Sequence, residues 1–347
     1  MNQPRVKVLV VDDSAYVRKV FGQMLGNSPD LAIVGIARDG AEALELIERL
    51  QPDVVTLDLV MPGLDGISFL RAQAERRPVP VVVVSMSPES SALVLQALEL
   101  GAVDFVQKPT ALAIERLFEI QDELTRKILA AARARVQRFD SLPRVAGPVE
   151  PTEPTVRTAF DAIVIGVSTG GPQALRYLIP QLPASLAVPV AIALHMPPGY
   201  TPWLSGSLND VSELEVVEAV DGMPLCPGRV MIAPGGSHLR FRRVSASEVR
   251  AIVSREPKGT PHYPSVDVLF RSAAETYNDR VLAAVLTGMG SDGTEGAAWV
   301  KANGGTVITE SEETCVVYGM PRSVVEAGLS DRSIPLGQLP RTIREMI

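Results

Sequence analysis

Short, strongly apolar runs alternate along this chain with stretches in which apolar residues recur at helical spacing. VKVLVV leads into Asp12-Asp13, a helical stretch follows through Met24 and Leu25, and LAIVGIA precedes a helix over 41–50. DVVTLDLVMPG, PVVVVSM, a helix near 91–100, DFVQKP and a last helix complete five strand–helix pairs. β-branched runs in this order predict a parallel sheet covered on both faces. Ligands of such sheets gather at the carboxyl ends of the strands.

From about residue 137 to 159 the apolar period disappears. Pro143, Pro148, Pro151 and Pro154 puncture RFDSLPRVAGPVEPTEPTVRT, which reads as an extended linker. At Phe160 a second α/β pattern begins with AIVIGV, PVAIALHM, RVMIAP, RVLAAVLTG and GGTVITE, helices lying between them. Within it, HLRFRRVSASEVRAIVSREP reads as an antiparallel hairpin. The expected organisation is an α/β domain over 1–125, a helix end and Pro-rich linker over 126–159, and a second doubly wound α/β domain over 160–347.

Composition narrows the field. The 347 residues suffice for two cores, and 46% hydrophobic with 21% charged residues is ordinary for a globular protein. A net charge of −7 without a basic block excludes nucleic acid as the expected partner. Two cysteines, Cys226 and Cys315, lack metal-ligand spacing and fit a reducing compartment. The N-terminus reads as a strand, not a signal peptide, and no apolar run approaches the roughly 20 residues needed to span a bilayer. The expectation is a cytoplasmic monomer with no membrane insertion.

The first domain concentrates acids at strand ends: Asp12 and Asp13 after the first strand, Asp58 after the third. Three converging carboxylates repel one another without a cation, and hard oxygen ligands suit Mg²⁺. A carboxylate beside that ion can accept a phosphoryl group. Ser85, ending the fourth strand, is placed to hydrogen-bond it, and Lys108, after the fifth, to pair with its charge. Lys108-Pro109 is a candidate cis peptide. Single strand-end aspartates often only cap helices. The full set resembles the receiver domain of bacterial response regulators, over roughly residues 5–125, with a flavodoxin-like sheet. The resemblance implies Asp58 as phosphoacceptor, Asp12, Asp13 and Asp58 around Mg²⁺, Ser85 with Phe105 as a switch pair, and a histidine kinase as phosphodonor.

The second domain opens on DAIVIGVSTGGP, where an apolar strand breaks into a glycine turn at Ser168. Gly166 to Gly170 is a literal G-x-S-x-G, and a following helix offers N–H groups to an oxyanion. A serine needs a base, and His195, ending VAIALHM, lies at the same sheet edge if the strands are parallel neighbours. His238 and His262 fall in Gly/Pro-rich loops and read as solvated surface. Asp292, in the strand-to-turn segment LTGMGSDG, is the candidate acid to orient the histidine, ahead of Asp267 and Asp221. The order Ser168, His195, Asp292 is not the Ser-acid-His order of α/β-hydrolases. Dinucleotide binding is disfavoured, because GVSTGG lacks G-x-G-x-x-G.

Taken together, GVSTGG, HMP from His195, PSVDVL from Pro264, TGMGSDG and YGMP from Tyr318 resemble the CheB protein-glutamate methylesterase family over nearly the whole chain. The resemblance implies hydrolysis of glutamate γ-methyl esters on the cytoplasmic domains of methyl-accepting chemoreceptors, releasing methanol, with possible deamidation of receptor glutamines. It implies no cofactor for the ester step, and an unphosphorylated receiver docked over the catalytic cleft. The inferred chemistry is acyl transfer, with backbone N–H groups near Thr169 and Met289 as oxyanion donors, Met289 by resemblance. Departures from the family pattern are Leu194, where many relatives carry glutamine, and the segment from Glu310 (ESEETCVV). A receptor-binding adaptor without turnover, or a non-chemotaxis signalling array, are the alternative readings.

Overall fold

Val8 to Val11 are almost entirely buried, because a parallel strand covered on both faces has no solvent side to alternate toward. In this computed structural model the described residues are 4–76, 78–85, 91–108, 120–134 and 159–347. They fall into two compact units, Met1–Gln137 and Arg138–Ile347. Most of the Pro-rich stretch, and the Lys108-Pro109 peptide, lie outside the described residues.

The first unit holds β1 (Val6–Val11), α1 (Ala15–Gly26), β2 (Leu31–Ala37), α2 (Gly40–Leu50), β3 (Val54–Leu57), α3 (Gly66–Ala74), β4 (Val81–Ser85), α4 (Ser91–Glu99), β5 (Asp104–Gln107) and α5 (Gln121–Ala131). Ser14, Asp39 and Asp65 accept backbone N–H bonds at the starts of α1, α2 and α3, so three loops end in side-chain caps. All five strands are parallel, in the order β2-β1-β3-β4-β5. The order reverses between β1 and β3, and that switch point is where such a sheet opens a crevice. The helix end at 126–131 belongs to α5, which buries Leu124 and Ile128.

The second unit holds β6 (Ala162–Val167), α6 (Gly171–Leu178), β7 (Val190–Leu194), α7 (Thr201–Asn209), β8 (Glu215–Glu218), β9 (Arg229–Ile232), β10 (His238–Arg243), β11 (Val249–Ser254), α8 (Val266–Tyr277), β12 (Val281–Val285), α9 (Thr294–Ala302), β13 (Thr306–Glu310), α10 (Met320–Glu326), β14 (Arg332–Ile334) and α11 (Leu339–Met346). Seven strands form a parallel sheet, β14-β13-β12-β6-β7-β9-β8, and β10-β11 is the expected antiparallel hairpin. β8 and β14, at the two edges, extend the sheet beyond the strands read from the sequence. α8 is the central covering helix: Val266, Leu269, Phe270, Ala273 and Ala274 are fully buried in one core with Val164, Ala283 and the hairpin's Phe241. Chain order turns at β6, whose neighbours are β7 on one side and β12 on the other. The carboxyl ends of these three strands therefore frame the second crevice. Among the described residues no helix is long and apolar enough to cross a membrane.

Candidate active site

Parallel register builds the second crevice. Val167 of β6 pairs with Leu194 of β7, and Gly166 pairs with Val285 of β12. The next residues along therefore meet at the sheet edge: the Ser168 N–H donates to the Thr287 carbonyl at 3.0 Å and the His195 N–H to the Val167 carbonyl at 3.3 Å. The chain then turns sharply, the Gly171 N–H donating to the Ser168 carbonyl at 2.7 Å. Gly170 has φ +78°, and a Cβ there would lie 2.6 Å from the Val316 Cβ, so the turn requires glycine. Gly166 serves a different purpose from the freedom the turn suggested. A Cβ there would lie 2.2 Å from Val266 Cγ1, so its absence lets the start of α8 approach β6.

That approach completes a hydrogen-bonded chain. His195 Nδ1 lies 3.1 Å from Ser168 Oγ, and Nε2 lies 2.6 Å from Asp292 Oδ2. A carboxylate can only accept, so we assign the ring proton to Nε2, which leaves the Nδ1 lone pair facing the serine hydroxyl. Asp292 is not the cap of its own following helix, α9, whose N-cap is Gly293. It sits on the start of α8 instead. Oδ1 accepts from the Ser265 hydroxyl (2.9 Å) and the Asp267 N–H (3.0 Å), and Oδ2 accepts from the Val266 N–H (2.7 Å). Burial alone would raise the pKa of Asp292. The bond from His195, joined by its charge when the ring is protonated, and the α8 N–H groups instead hold it well below the usual carboxylate range.

Two histidines read as solvated surface belong to this site. His262 stacks on His195, ring centroids 3.9 Å apart and 17° from parallel. His238 is fully buried at the start of β10: Nδ1 accepts the Ser265 N–H at 3.2 Å and Nε2 contacts Thr260 Oγ1 at 3.1 Å. Burial lowers its pKa; it is a neutral brace for the residue that donates to Asp292. Asp267, weighed as an alternative acid, bonds to the start of α9 instead, and Asp221 accepts from Val253 on the hairpin. Leu194 is buried with Cδ1 2.7 Å from where a Gly171 Cβ would be, so it packs beneath the serine turn.

Behind the serine lies a buried acid. Glu310 is inaccessible to solvent, accepting the Thr287 N–H at 2.8 Å and the Thr314 hydroxyl at 3.0 Å. Thr287 in turn donates its hydroxyl to the Thr169 carbonyl at 2.9 Å. Burial pushes Glu310 up to about 7. Thr169 is buried beside Ser168, and a Cβ on Gly288, the residue before Met289, would come within 2.8 Å of Ser168 Cβ. Thr169 and Gly288, the neighbours in sequence of Ser168 and Met289, thus lie beside the serine.

In the first unit Asp12, Asp13 and Asp58 converge at the β1/β3 switch point, one oxygen of each lying within 4.8 Å of the others. Lys108 Nζ bridges Asp12 Oδ2 and Asp58 Oδ2, both at 2.6 Å, in a buried triad of charges. Burial dominates at Asp12 and raises its pKa. Burial alone would lower Lys108, but Asp58 and Asp12 raise it on balance. Ser85 is buried at the end of β4. Phe105 is buried on β5, with Lys127 Nζ 5.4 Å from its ring centroid and bonded to its carbonyl at 2.6 Å.

A family model of the CheB methylesterase matches residues 163–343, and one of the response regulator receiver domain matches residues 8–120. The chain belongs to the CheB methylesterase family. A Myxococcus xanthus protein named protein-glutamate methylesterase/protein-glutamine glutaminase 5 is 50% identical over 344 residues, covering 99% of this chain and 98% of its own length. A Thermotoga maritima protein with the unnumbered form of that name is 41% identical over 343 residues, again 99% and 98%. The crystal structure of the Thermotoga maritima CheB methylesterase catalytic domain matches at 44% identity with a TM-score of 0.53, covering 54% of this chain and 99% of that one. The CheB fold therefore brings together all three residues of the expected triad, and adds His262, His238 and Asp267. Of that last group, the sequence marked only Asp267, in the PSVDVL motif and as an alternative to Asp292 as the acid.

Proposed function

We propose that this CheB family member is a receiver-controlled hydrolase of glutamate γ-methyl esters on the cytoplasmic domains of methyl-accepting chemoreceptors. The observation that carries the proposal is the continuous chain from Ser168 Oγ through His195 to Asp292 at the sheet's switch point. Ser168 Oγ attacks the ester carbonyl carbon while its proton passes to His195 Nδ1. Asp292 stabilises the imidazolium through Nε2–H. The Thr169 and Met289 backbone N–H groups receive the oxyanion, one such donor contributing ~2.7–4 kcal/mol. Collapse of the tetrahedral intermediate expels the methoxy group, which takes the proton from Nδ1 and leaves as methanol. Water then attacks the acyl-serine, giving its proton to His195, and the glutamate carboxylate departs. With a glutamine side chain the same steps release ammonia, in keeping with the second activity in the relatives' names.

Asp58 is the proposed acceptor of a phosphoryl group from a histidine kinase, with Ser85 and Lys108 placed for its oxygens and Phe105 as the second switch residue. Asp12, Asp13 and Asp58 fit a divalent cation: all donors are oxygen, and one lysine leaves three facing acids short of neutrality. Mg²⁺ bound there supplies charge neutralisation for the phosphoryl oxygens. The test is methanol release from methyl-esterified receptors by the full chain, with and without a small phosphodonor. The phosphodonor should raise the rate in the wild type and not in Asp58→Asn. An absence of methanol release in every condition refutes the proposal.

A further inference from the structure

Asp267 bonds to the start of α9 and not to His195, yet it is built into the geometry of Asp292. Its Oδ1 accepts the Gly293 N–H at 2.8 Å and the Gly296 N–H at 2.7 Å, at the start of α9. Asp292, immediately before Gly293, accepts the Val266 and Asp267 N–H groups at the start of α8. Each acid thus sits on the N-terminus of the helix beside the other. The two positive helix ends hold two neighbouring carboxyl groups in place.

The exchange matters because of the backbone Asp292 sits on. Gly290 (φ +90°) and Gly293 (φ +100°) flank it in the left-handed region, so the turn GSDG has little stiffness of its own. The bond from Gly293 to Asp267 is a direct restraint on the residue next to the triad acid. The helices are also drawn close: a Cβ on Gly296 would lie 2.9 Å from the Asp267 Cα, and one on Gly293 2.9 Å from Val266 Cγ1. An N-cap role alone would need one N–H partner, whereas Asp267 Oδ1 takes two, one of them adjoining Asp292.

We propose that Asp267 is a positioning residue of the triad, clamping the Asp292 turn so that the Asp292 carboxylate stays in line with His195 Nε2. This rests on the Ser168–His195–Asp292 reading. Burial and the neighbouring Asp292 charge push Asp267 up to about 7, so a neutral side chain of the same shape suits the position. An asparagine keeps an oxygen for both N–H groups; an alanine keeps nothing.

The test uses the full chain, methanol release from methyl-esterified receptors, and the downfield proton resonance of the His195–Asp292 bond. Asp267→Ala should lower kcat by about 10- to 100-fold, as small misplacements of catalytic groups do. KM should stay within about twofold, and the downfield resonance should shift. Asp267→Asn should restore kcat to within about threefold and restore the resonance. If Asp267→Ala does not fold, Asp267→Ser, too short to reach Gly293 and Gly296, carries the same comparison. A folded Ala or Ser variant with wild-type kcat, or an Asn variant as impaired as Ala, overturns the proposal. Ser168→Ala is assayed alongside. Full activity there removes the triad reading itself, whereas an inactive Ser168→Ala beside an active Asp267→Ala removes only the role of Asp267.

Discussion

Val167 and Leu194 are register partners on neighbouring parallel strands, and this pairing delivers Ser168 and His195 side by side at the sheet edge. The proposed nucleophile and its proposed base are set by strand register, which a packed sheet holds firmly. Asp292 is held differently, by four hydrogen bonds from His195 and the start of α8.

That difference makes Asp292 a sensitive position. Asp292→Asn offers His195 Nε2 an amide, which does not secure the tautomer that presents a lone pair to Ser168. We expect kcat to fall by about 10⁴-fold, the size known for this change in the serine protease template, with folding retained. Steady-state methanol release on the purified variant measures it, and a loss under tenfold contradicts the assigned tautomer.

The stack of His262 on His195 restrains the imidazole plane. An aromatic pair contributes about 0.5–1.5 kcal/mol beyond burial, so His262→Ala should reduce kcat by up to about tenfold. His262→Phe, which keeps a ring and discards the titratable nitrogens, should recover most of it. Equal losses in both variants would show that nitrogen chemistry, not stacking, is at work.

Glu310 should make stability depend on pH. The folded chain holds its proton up to about 7, against an ordinary value of 4.5. The stabilising contribution is therefore fully present below the lower value and is lost as pH rises through the higher one, about 3 kcal/mol in all. Glu310→Gln keeps a neutral side chain with a hydrogen-bonding oxygen for Thr287. Its melting temperature relative to wild type should rise between about pH 5 and pH 8. Parallel melting curves across that range would contradict a buried, neutral Glu310.

Lys108 is paired with both Asp12 and Asp58 in the receiver crevice. Lys108→Ala leaves those buried acids without it, a loss of about 3 kcal/mol by the usual cost of breaking a buried pair. Added Mg²⁺ should recover more stability in this variant than in wild type, since it binds the carboxylates the lysine no longer shares. Thermal unfolding with and without Mg²⁺ reads both effects. Identical Mg²⁺ shifts would mean that the acids do not form the cation site.

Strand cores and strand-end residues were legible in the sequence because both depend on local pattern. AIVIGV is β6 residue for residue, and the hairpin stands where HLRFRR and VRAIVS suggested. β8 (EVVE) and β14 (RSI) were not, because short edge strands carry too few apolar residues to show a period. His238 and His262 were misread because Gly/Pro-rich surroundings indicate turns, not what the turns fold against. Their partners, Ser265 and His195, are 27 and 67 residues away in the numbering. The crossing of the two acids escaped for the same reason: helix starts 265–267 and 292–296 are distant in the numbering and meet where Gly166, Gly293 and Gly296 let α8 come close to β6 and α9.

The central claim is that Ser168 is the nucleophile, and methanol release by Ser168→Ala on methyl-esterified receptors tests it most directly. A folded variant, with wild-type circular dichroism and melting temperature, that releases no methanol above the uncatalysed background is the predicted result. Turnover near the wild-type rate in that folded variant would contradict the account.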